Sequence, residues 1–103
     1  MVSAYDGLDA LVKFEINRFD LVIMDVQMPT LSGLETIGRI RELEKVQGRD
    51  RTPVVVISAN NFKEDHDKSL HAGADEHYGK PVRKEQVMAM LEKYGEKYSA
   101  LIS

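Results

Sequence analysis

The feature that most constrains the fold is a short apolar run that ends in a carboxylate. Residues Leu21–Met24 are consecutively apolar, Asp25 follows directly, and Pro29 and Gly33 break the chain soon afterwards. An unbroken apolar run between turn signals is typical of a strand that is buried on both faces of a parallel sheet. Ligands of such sheets bind beyond the carboxyl ends of the strands. Asp25 is therefore the first candidate for a functional residue.

Helical and extended patterns alternate along the rest of the chain. Apolar residues at three- and four-residue spacing predict helices, and β-branched or alternating runs predict strands. The predicted order is helix Leu8–Ile16, strand Leu21–Met24, helix Leu34–Glu44, strand Val54–Ile57, helix Lys63–His71, strand Glu76–Gly79 and helix Glu85–Tyr94, with Glu96–Tyr98 as an extension of the last helix. This alternation indicates an α/β fold with a parallel sheet and helices on both faces.

Side-chain burial can also be predicted for two of these helices. The helix at Lys63–His71 has little apolar content, so we expect it to pack loosely and to leave His66 and His71 facing solvent. In the last helix we expect Val87, Met88, Met90 and Leu91 to face the core.

Composition bounds the class of protein. The chain has 103 residues with 43% hydrophobic content, enough for a single small domain over residues 1–103. Its net charge of −3 argues against a nucleic-acid-binding surface, which needs a basic excess. There is no cysteine, which fits a reducing, cytoplasmic compartment, and no apolar run has the length of a membrane span.

Three predicted strands end in side chains with complementary chemistry. Asp25, Ser58 and Lys80 follow neighbouring strands, so their side chains are expected at one edge of the sheet. A carboxylate can attack phosphorus, a lysine can neutralise the oxygens of a transferred phosphoryl group, and a hydroxyl can hydrogen-bond to one of them. Taken singly, Asp25 could be a loop or capping carboxylate, Ser58 would more often be a helix cap, and Lys80 would usually be a solvated surface lysine. Only the combination favours phosphoryl chemistry.

The same residues carry a resemblance to a known family. Asp25-Val-Gln-Met-Pro29 with Gly33 resembles the phosphoacceptor loop of receiver domains in two-component signalling. Val56-Ile-Ser-Ala59 resembles the segment with the switch hydroxyl, and Ala72–Pro81 resembles the last strand with its lysine and a cis Lys80–Pro81 bond. The match extends from about Val2 to Tyr94, and the motif Asp-Val-Gln-Met-Pro is most similar to that of receivers of hybrid histidine kinases.

The resemblance implies a role for each matched residue. Asp25 would accept a phosphoryl group, Lys80 would be its charge partner, and Ser58 would be the switch hydroxyl. His77 stands where the family has a Tyr or Phe that reorients on activation. Asp25 and the backbone carbonyl of Gln27 would bind Mg²⁺. The partner would be a histidine kinase or a histidine phosphotransfer domain, and the chain would be a signalling domain rather than an enzyme.

One departure from the family concerns the beginning of the fold. Receivers begin with a strand that ends in two acidic residues, followed by a helix and a second strand, whereas Ser3–Gly7 already matches the end of that second strand. We therefore expect a flavodoxin-like receiver fold truncated at its N-terminus, without the first strand, the first helix and most of the second strand. Because the first strand is central in the order 2-1-3-4-5, Leu21–Met24 would have an unpaired apolar edge.

This departure leaves a second functional hypothesis open. Without the acidic pair, the chain would be a receiver-like interaction module that is not phosphorylated. It would associate through the exposed strand edge or the final helix, as a homodimer or with a partner that supplies the missing part.

Overall fold

Parallel strands and helices alternate through the whole part of the chain that the structure describes. A computed structural model describes residues 2–4, 6–25, 32–59, 62–94 and 100–102. Their elements are β1 (Val2–Ser3), α1 (Gly7–Ile16), β2 (Leu21–Asp25), α2 (Gly33–Gln47), β3 (Val54–Ser58), α3 (Lys63–Ala72), β4 (Glu76–Gly79), α4 (Lys84–Tyr94) and β5 (Ala100–Ile102). The predicted α/β class and the predicted elements from α1 to α4 are confirmed. The predicted extension of the last helix through Glu96–Tyr98 lies outside the described residues.

The two apolar strands form the middle of the core. β2 and β3 pair in parallel, with Val22 opposite Val54 and Met24 opposite Val56. These side chains face one core cluster under α1 and α2, which includes Phe14. The alternate residues of β2 and β3 face a second cluster under α4, with Met90 at its centre. Burial on both faces explains why these strands are apolar without alternation.

The C-terminal strand completes the sheet. The sheet order is β1-β5-β2-β3-β4, and β5 pairs in parallel with β1 on one side and with β2 on the other. Leu101 lies opposite Val22, and its side chain is fully buried. The predicted unpaired edge on Leu21–Met24 is therefore wrong, because β5 occupies the position beside β2 that we expected to be empty. For the same reason, the structure does not provide the exposed edge of β2 on which the homodimer hypothesis depended.

Local signals in the sequence explain where the helices begin and end. The Asp6 side chain accepts a hydrogen bond from the backbone N–H of Asp9 at 2.9 Å and caps α1. The Ser32 hydroxyl accepts one from Glu35 N–H at 3.2 Å and caps α2. Gly48 ends α2 in the left-handed region with φ 65°, a conformation that favours glycine.

Two helices expose apolar residues that contributed to their prediction. In α1, Ala10 and Phe14 are buried, whereas Leu8 and Val12 are 50% and 56% exposed. In α4, the expected inward position of Met88 is wrong, because this side chain is 52% exposed while Met90 is buried. Apolar spacing thus predicted both helices correctly, but apolar residues occupy more of each helix surface than the sheet can cover.

A half-buried arginine ties together three elements on one side of the sheet. Arg41 on α2 donates through Nε and Nη2 to the carbonyl of Gly73 at 3.0 and 2.8 Å, and through Nη1 to the carbonyl of Thr52 at 2.8 Å. Its guanidinium also pairs with the carboxylates of Glu44 at 2.9 Å and Asp75 at 3.1 Å. Arg41 therefore fixes α2 to the end of α3 and to the beginning of β3.

We predict that Arg41→Ala lowers the free energy of unfolding by about 2–4 kcal/mol, because it removes the hydrogen bonds to the carbonyls of Gly73 and Thr52 and the ion pairs with Glu44 and Asp75. Urea denaturation followed by circular dichroism measures the change. Arg39→Ala removes an exposed arginine from the same helix and should change stability by less than about 0.5 kcal/mol. Equal effects of the two substitutions would contradict this role of Arg41.

Candidate functional site

The ends of three neighbouring strands bring the predicted site residues to one edge of the sheet. Asp25 is the last residue of β2 and lies opposite Ile57 on β3. Ser58 is the last residue of β3 and lies opposite Gly79 on β4. Lys80, which follows Gly79, therefore lies directly beyond the ends of both strands. The predicted convergence of these strand ends is confirmed, and it results from parallel pairing in this register.

Asp25 and Lys80 form an ion pair at this edge. Lys80 Nζ donates to Asp25 Oδ2 at 2.6 Å, although 55 residues separate the two along the chain. The Asp25 side chain is 29% exposed and that of Lys80 is 37% exposed, so the pair is open to molecules from solvent. A carboxylate beside an ammonium group at an open edge can receive a phosphoryl group whose negative charge the lysine then neutralises.

Ser58 is more deeply buried than the Asp25–Lys80 ion pair. Its residue is 2% exposed, and its backbone carbonyl accepts a hydrogen bond from Lys80 N–H at 2.8 Å. This bond continues the pairing of β3 with β4 beyond the end of β4 and fixes the backbone of Lys80 relative to Ser58. The Lys80–Pro81 peptide bond is cis, as predicted.

The described residues do not by themselves fit a magnesium site. Mg²⁺ requires octahedral coordination by oxygen ligands. Asp25 offers one carboxylate, which already pairs with Lys80, and the described part of the chain has no group of three or more His, Cys, Asp or Glu residues that could hold a metal ion. Gln27, the second predicted ligand, lies outside the described residues.

His77, the predicted switch residue, belongs to a small polar cluster between β4 and α3. Its Nδ1 lies 2.8 Å from the hydroxyl of Ser69, and this hydroxyl also donates to the carbonyl of Asp65 at 3.0 Å. The His77 ring stacks on that of His66, with the ring centroids 4.2 Å apart. The expectation that His66 faces solvent is therefore wrong, whereas His71 is exposed as predicted.

Sequence reasoning missed Ser69 and His66 as partners of His77. Both lie on α3, and their spacing of three residues places them on one helix face. That spacing was the signal that could have identified them. It was overlooked because this helix lacks an apolar stripe, so the sequence did not indicate which face meets the sheet.

Comparison with known proteins identifies the family. A sequence model of the response regulator receiver domain matches residues 1–92. The chain belongs to the response regulator receiver domain family. The resemblance to receiver domains of two-component signalling, which rests on the motifs around Asp25, Ser58 and Lys80, is therefore confirmed. The role of each of these residues stays a prediction.

Relatives with similar sequences include hybrid kinases and response regulators. Hybrid signal transduction histidine kinase L of Dictyostelium discoideum is 34% identical over 96 residues, which are 90% of this chain but 6% of that kinase. Response regulator ArlR of Staphylococcus aureus is 33% identical over 89 residues, 86% of this chain and 38% of ArlR. The receiver domain described here therefore spans a small part of these relatives.

Solved receiver structures share the fold. The receiver domain of a sensor histidine kinase from Pseudomonas aeruginosa, which has a magnesium ion coordinated in the active site cleft, superimposes with a TM-score of 0.75 at 27% identity, covering 88% of this chain and 72% of that one. A Saccharomyces cerevisiae co-crystal structure of the histidine phosphotransfer protein Ypd1 with the receiver domain of its response regulator Ssk1 gives a TM-score of 0.81 at 28% identity, covering 87% and 67%.

These comparisons confirm the flavodoxin-like receiver fold and the context of phosphorelay and histidine-kinase signalling. In the described part of the receiver domain, no helix is long and apolar enough to cross a membrane.

The strand that carries His77 and leads to Lys80 is anchored to α4 through a carboxylate. Glu76 accepts hydrogen bonds from the hydroxyls of Tyr94 and Tyr78, the latter at 3.2 Å, and Lys93 lies 3.5 Å away. Burial alone would raise the pKa of Glu76, but the two tyrosine hydrogen bonds and the charge of Lys93 lower it below its ordinary value. Burial and the hydrogen bond to Glu76 raise the pKa of Tyr94.

We predict an acid-dependent loss of stability from this cluster. Because the pKa of Glu76 is lower in the folded domain than its ordinary 4.5, the stabilisation is complete above pH 4.5 and is lost as the pH falls through the folded-state pKa. Glu76→Gln should therefore be less stable than the wild type at pH 7, by a difference that shrinks in acid. Tyr94→Phe should cost about 1–2 kcal/mol at pH 7.

Urea denaturation at several pH values between 3 and 7 measures these differences. Glu92→Gln removes an exposed glutamate from α4, the helix that carries Tyr94, and should stay within about 0.5 kcal/mol of the wild type at pH 7. A stability difference between Glu76→Gln and wild type that does not change with pH would contradict the role given to the ionised carboxylate.

Proposed function

We propose that this receiver domain accepts a phosphoryl group on Asp25 from a phosphohistidine and thereby changes its affinity for partners. The observation that carries the proposal is the 2.6 Å contact between Lys80 Nζ and Asp25 Oδ2 at an open edge of the sheet. A carboxylate with a positive charge at hydrogen-bond distance is suited to phosphoryl transfer because the lysine stabilises the negative charge on the transferred group.

The transfer is a single displacement. A carboxylate oxygen of Asp25 forms a bond to phosphorus while the bond between phosphorus and the donor imidazole nitrogen breaks, and the electron pair of that bond stays on the imidazole. Lys80, whose side chain is 37% exposed and flexible, follows the new negative charge from the carboxylate to a phosphoryl oxygen. No step requires a group buried away from the edge.

The donor is a histidine kinase or a histidine phosphotransfer domain. This assignment is supported by the hybrid kinases among the relatives and by the solved complex of Ypd1 with the receiver domain of Ssk1. We also propose a cytoplasmic setting for this chain, which its lack of cysteine fits. Mg²⁺, which is coordinated in the active site cleft of the Pseudomonas receiver, would require ligands in addition to Asp25.

We further propose that phosphorylation is transmitted through Ser58 and His77. The Ser58 hydroxyl would hydrogen-bond to a phosphoryl oxygen, and the resulting shift at the end of β3 would alter the packing of His77 against α3. The weak attachment of α3 supports this route. Among its residues only Ser69 is buried, and Leu70 is 51% exposed, so moving this helix disturbs few apolar contacts.

The second hypothesis, an interaction module that is not phosphorylated, is favoured by one observation. Among the described residues, no group of three or more His, Cys, Asp or Glu residues could hold a metal ion. The two hypotheses differ in whether Asp25 takes a phosphoryl group at all, so one labelling experiment separates them.

We predict that a small-molecule phosphoryl donor such as acetyl phosphate, with Mg²⁺ in excess, adds one phosphoryl mass to the chain. Asp25→Asn should abolish the addition, because an amide cannot form the acyl phosphate. Lys80→Ala should slow it by roughly 10–100-fold, as expected for loss of a transition-state charge partner. Intact-protein mass spectrometry measures all three chains.

Asp20→Asn is the matched control, because Asp20 directly precedes β2 whereas Asp25 is its last residue. This variant should be labelled like the wild type. Absence of labelling in the wild type would favour the interaction module. Labelling that persists in Asp25→Asn would exclude Asp25 as the acceptor.

We also predict that phosphorylation changes the environment of the stacked histidines. The imidazole resonances of His77 and His66 should shift in a heteronuclear NMR spectrum, because they lie between β4 and α3, while exposed His71 should shift much less. In Ser58→Ala the shifts of His77 and His66 should be smaller although labelling of Asp25 persists. Identical shifts in wild type and Ser58→Ala would contradict transmission through the Ser58 hydroxyl.

A further inference from the structure

The strand between β1 and β2 is held by few backbone contacts but fills a central position. β5 consists of 3 residues. Two of them are in register with β1, at the pairs Val2–Leu101 and Ser3–Ile102. All three are in register with β2, from Leu21–Ala100 to Ile23–Ile102. By contrast, β2 is 5 residues long and has four residue pairs with β3.

The position that β5 fills is selective for apolar residues. The facing strand residues Leu21, Val22 and Ile23 are at most 2% exposed. Leu101 is fully buried and joins the core cluster that contains Phe14 and Val22. The gap between β1 and β2 therefore offers backbone hydrogen-bonding groups on both sides and an apolar pocket for one large aliphatic side chain.

We propose that this gap is a binding site for an extended peptide segment that runs parallel to β2 and carries a large aliphatic residue at its centre. Residues Ala100–Ile102 occupy the site within the chain itself. An apolar segment of another molecule with the same pattern competes for it. Recognition by strand addition depends on backbone hydrogen bonds for affinity and on side-chain pockets for specificity, which is the combination found here.

The direction of β5 gives such a partner access to the candidate functional site. Because β5 is parallel to β2 and Ile102 lies opposite Ile23, a segment that continued in register would reach the level of Asp25 two residues further on. A partner peptide bound in the gap would then extend toward the edge where Asp25 and Lys80 meet. The peptide site itself does not depend on phosphorylation of Asp25.

The experiment uses the 103-residue chain with the segment Ala100–Ile102 weakened in place. Leu101→Ala removes most of the buried side chain, and Leu101→Asp places a carboxylate in an apolar pocket, so both substitutions favour departure of the segment. The probe is a fluorescent peptide with the sequence of residues 98–103. Fluorescence anisotropy should show that both variants bind the peptide at least about tenfold more tightly than the wild type, whose own segment competes at high effective concentration.

Two matched controls test specificity. Val12→Asp introduces the same carboxylate at a side chain that is 56% exposed, and this variant should bind the peptide no better than the wild type. A peptide in which the central leucine is replaced by aspartate should bind none of the chains. Circular dichroism records whether each variant is folded before and after the peptide is added, and folding of Leu101→Asp on addition of the peptide supports the proposal.

The proposal is overturned if folded Leu101→Ala binds the peptide no better than wild type, or if the aspartate-containing peptide binds equally well. It is also overturned if native mass spectrometry shows that Leu101→Asp forms a dimer that excess peptide does not dissociate. That outcome would show that β2 pairs with a second copy of the chain rather than with an extended peptide.

Discussion

The architecture depends on parallel pairing along both edges of β2. This strand is covered by helices on both faces, and it pairs with β3 on one edge and β5 on the other. Its backbone polar groups therefore have partners in the sheet, and its side chains can be entirely apolar. Asp25 is the residue at which this burial ends, since its side chain is 29% exposed whereas Met24 is fully buried. The candidate site therefore lies at the end of a strand whose other residues, Leu21–Met24, are buried.

The sequence predicted those features whose signals are local and strong. The unbroken apolar runs of β2 and β3 are typical of buried parallel strands. Parallel pairing then places Asp25 and Ser58 at the ends of these strands. β5 could not be predicted in this way, because Ala100–Ile102 is too short for a periodic pattern. Its stability derives from the edges of β1 and β2, which are distant in sequence. The partners of His77 escaped prediction for a related reason, since α3 has no apolar stripe to orient it.

The two sides of the sheet differ in how their helices are fastened. α1 and α2 cover a large apolar cluster, and Arg41 adds hydrogen bonds and ion pairs that connect α2 to β3 and to the end of α3. α4 covers the smaller cluster and is fixed to β4 by the tyrosine hydrogen bonds to Glu76. Between the end that Arg41 holds and the strand that Glu76 holds, α3 contacts β4 through the hydrogen bond of Ser69 with His77 and the stacking of His66 on His77.

This difference in how the helices are attached bears on which element would move after a change at Asp25. A change at Asp25 cannot easily deform β2 and β3, because both are close-packed on two faces. It can more readily reposition α3, of whose residues only Ser69 is buried. His77 on β4 lies opposite Val56, two residues before Ser58, so it is near the strand end that carries the hydroxyl and also in contact with α3. The sheet and α3 therefore meet at His77, and under the proposed phosphorylation of Asp25 a displacement of Ser58 would be transmitted through His77 to α3.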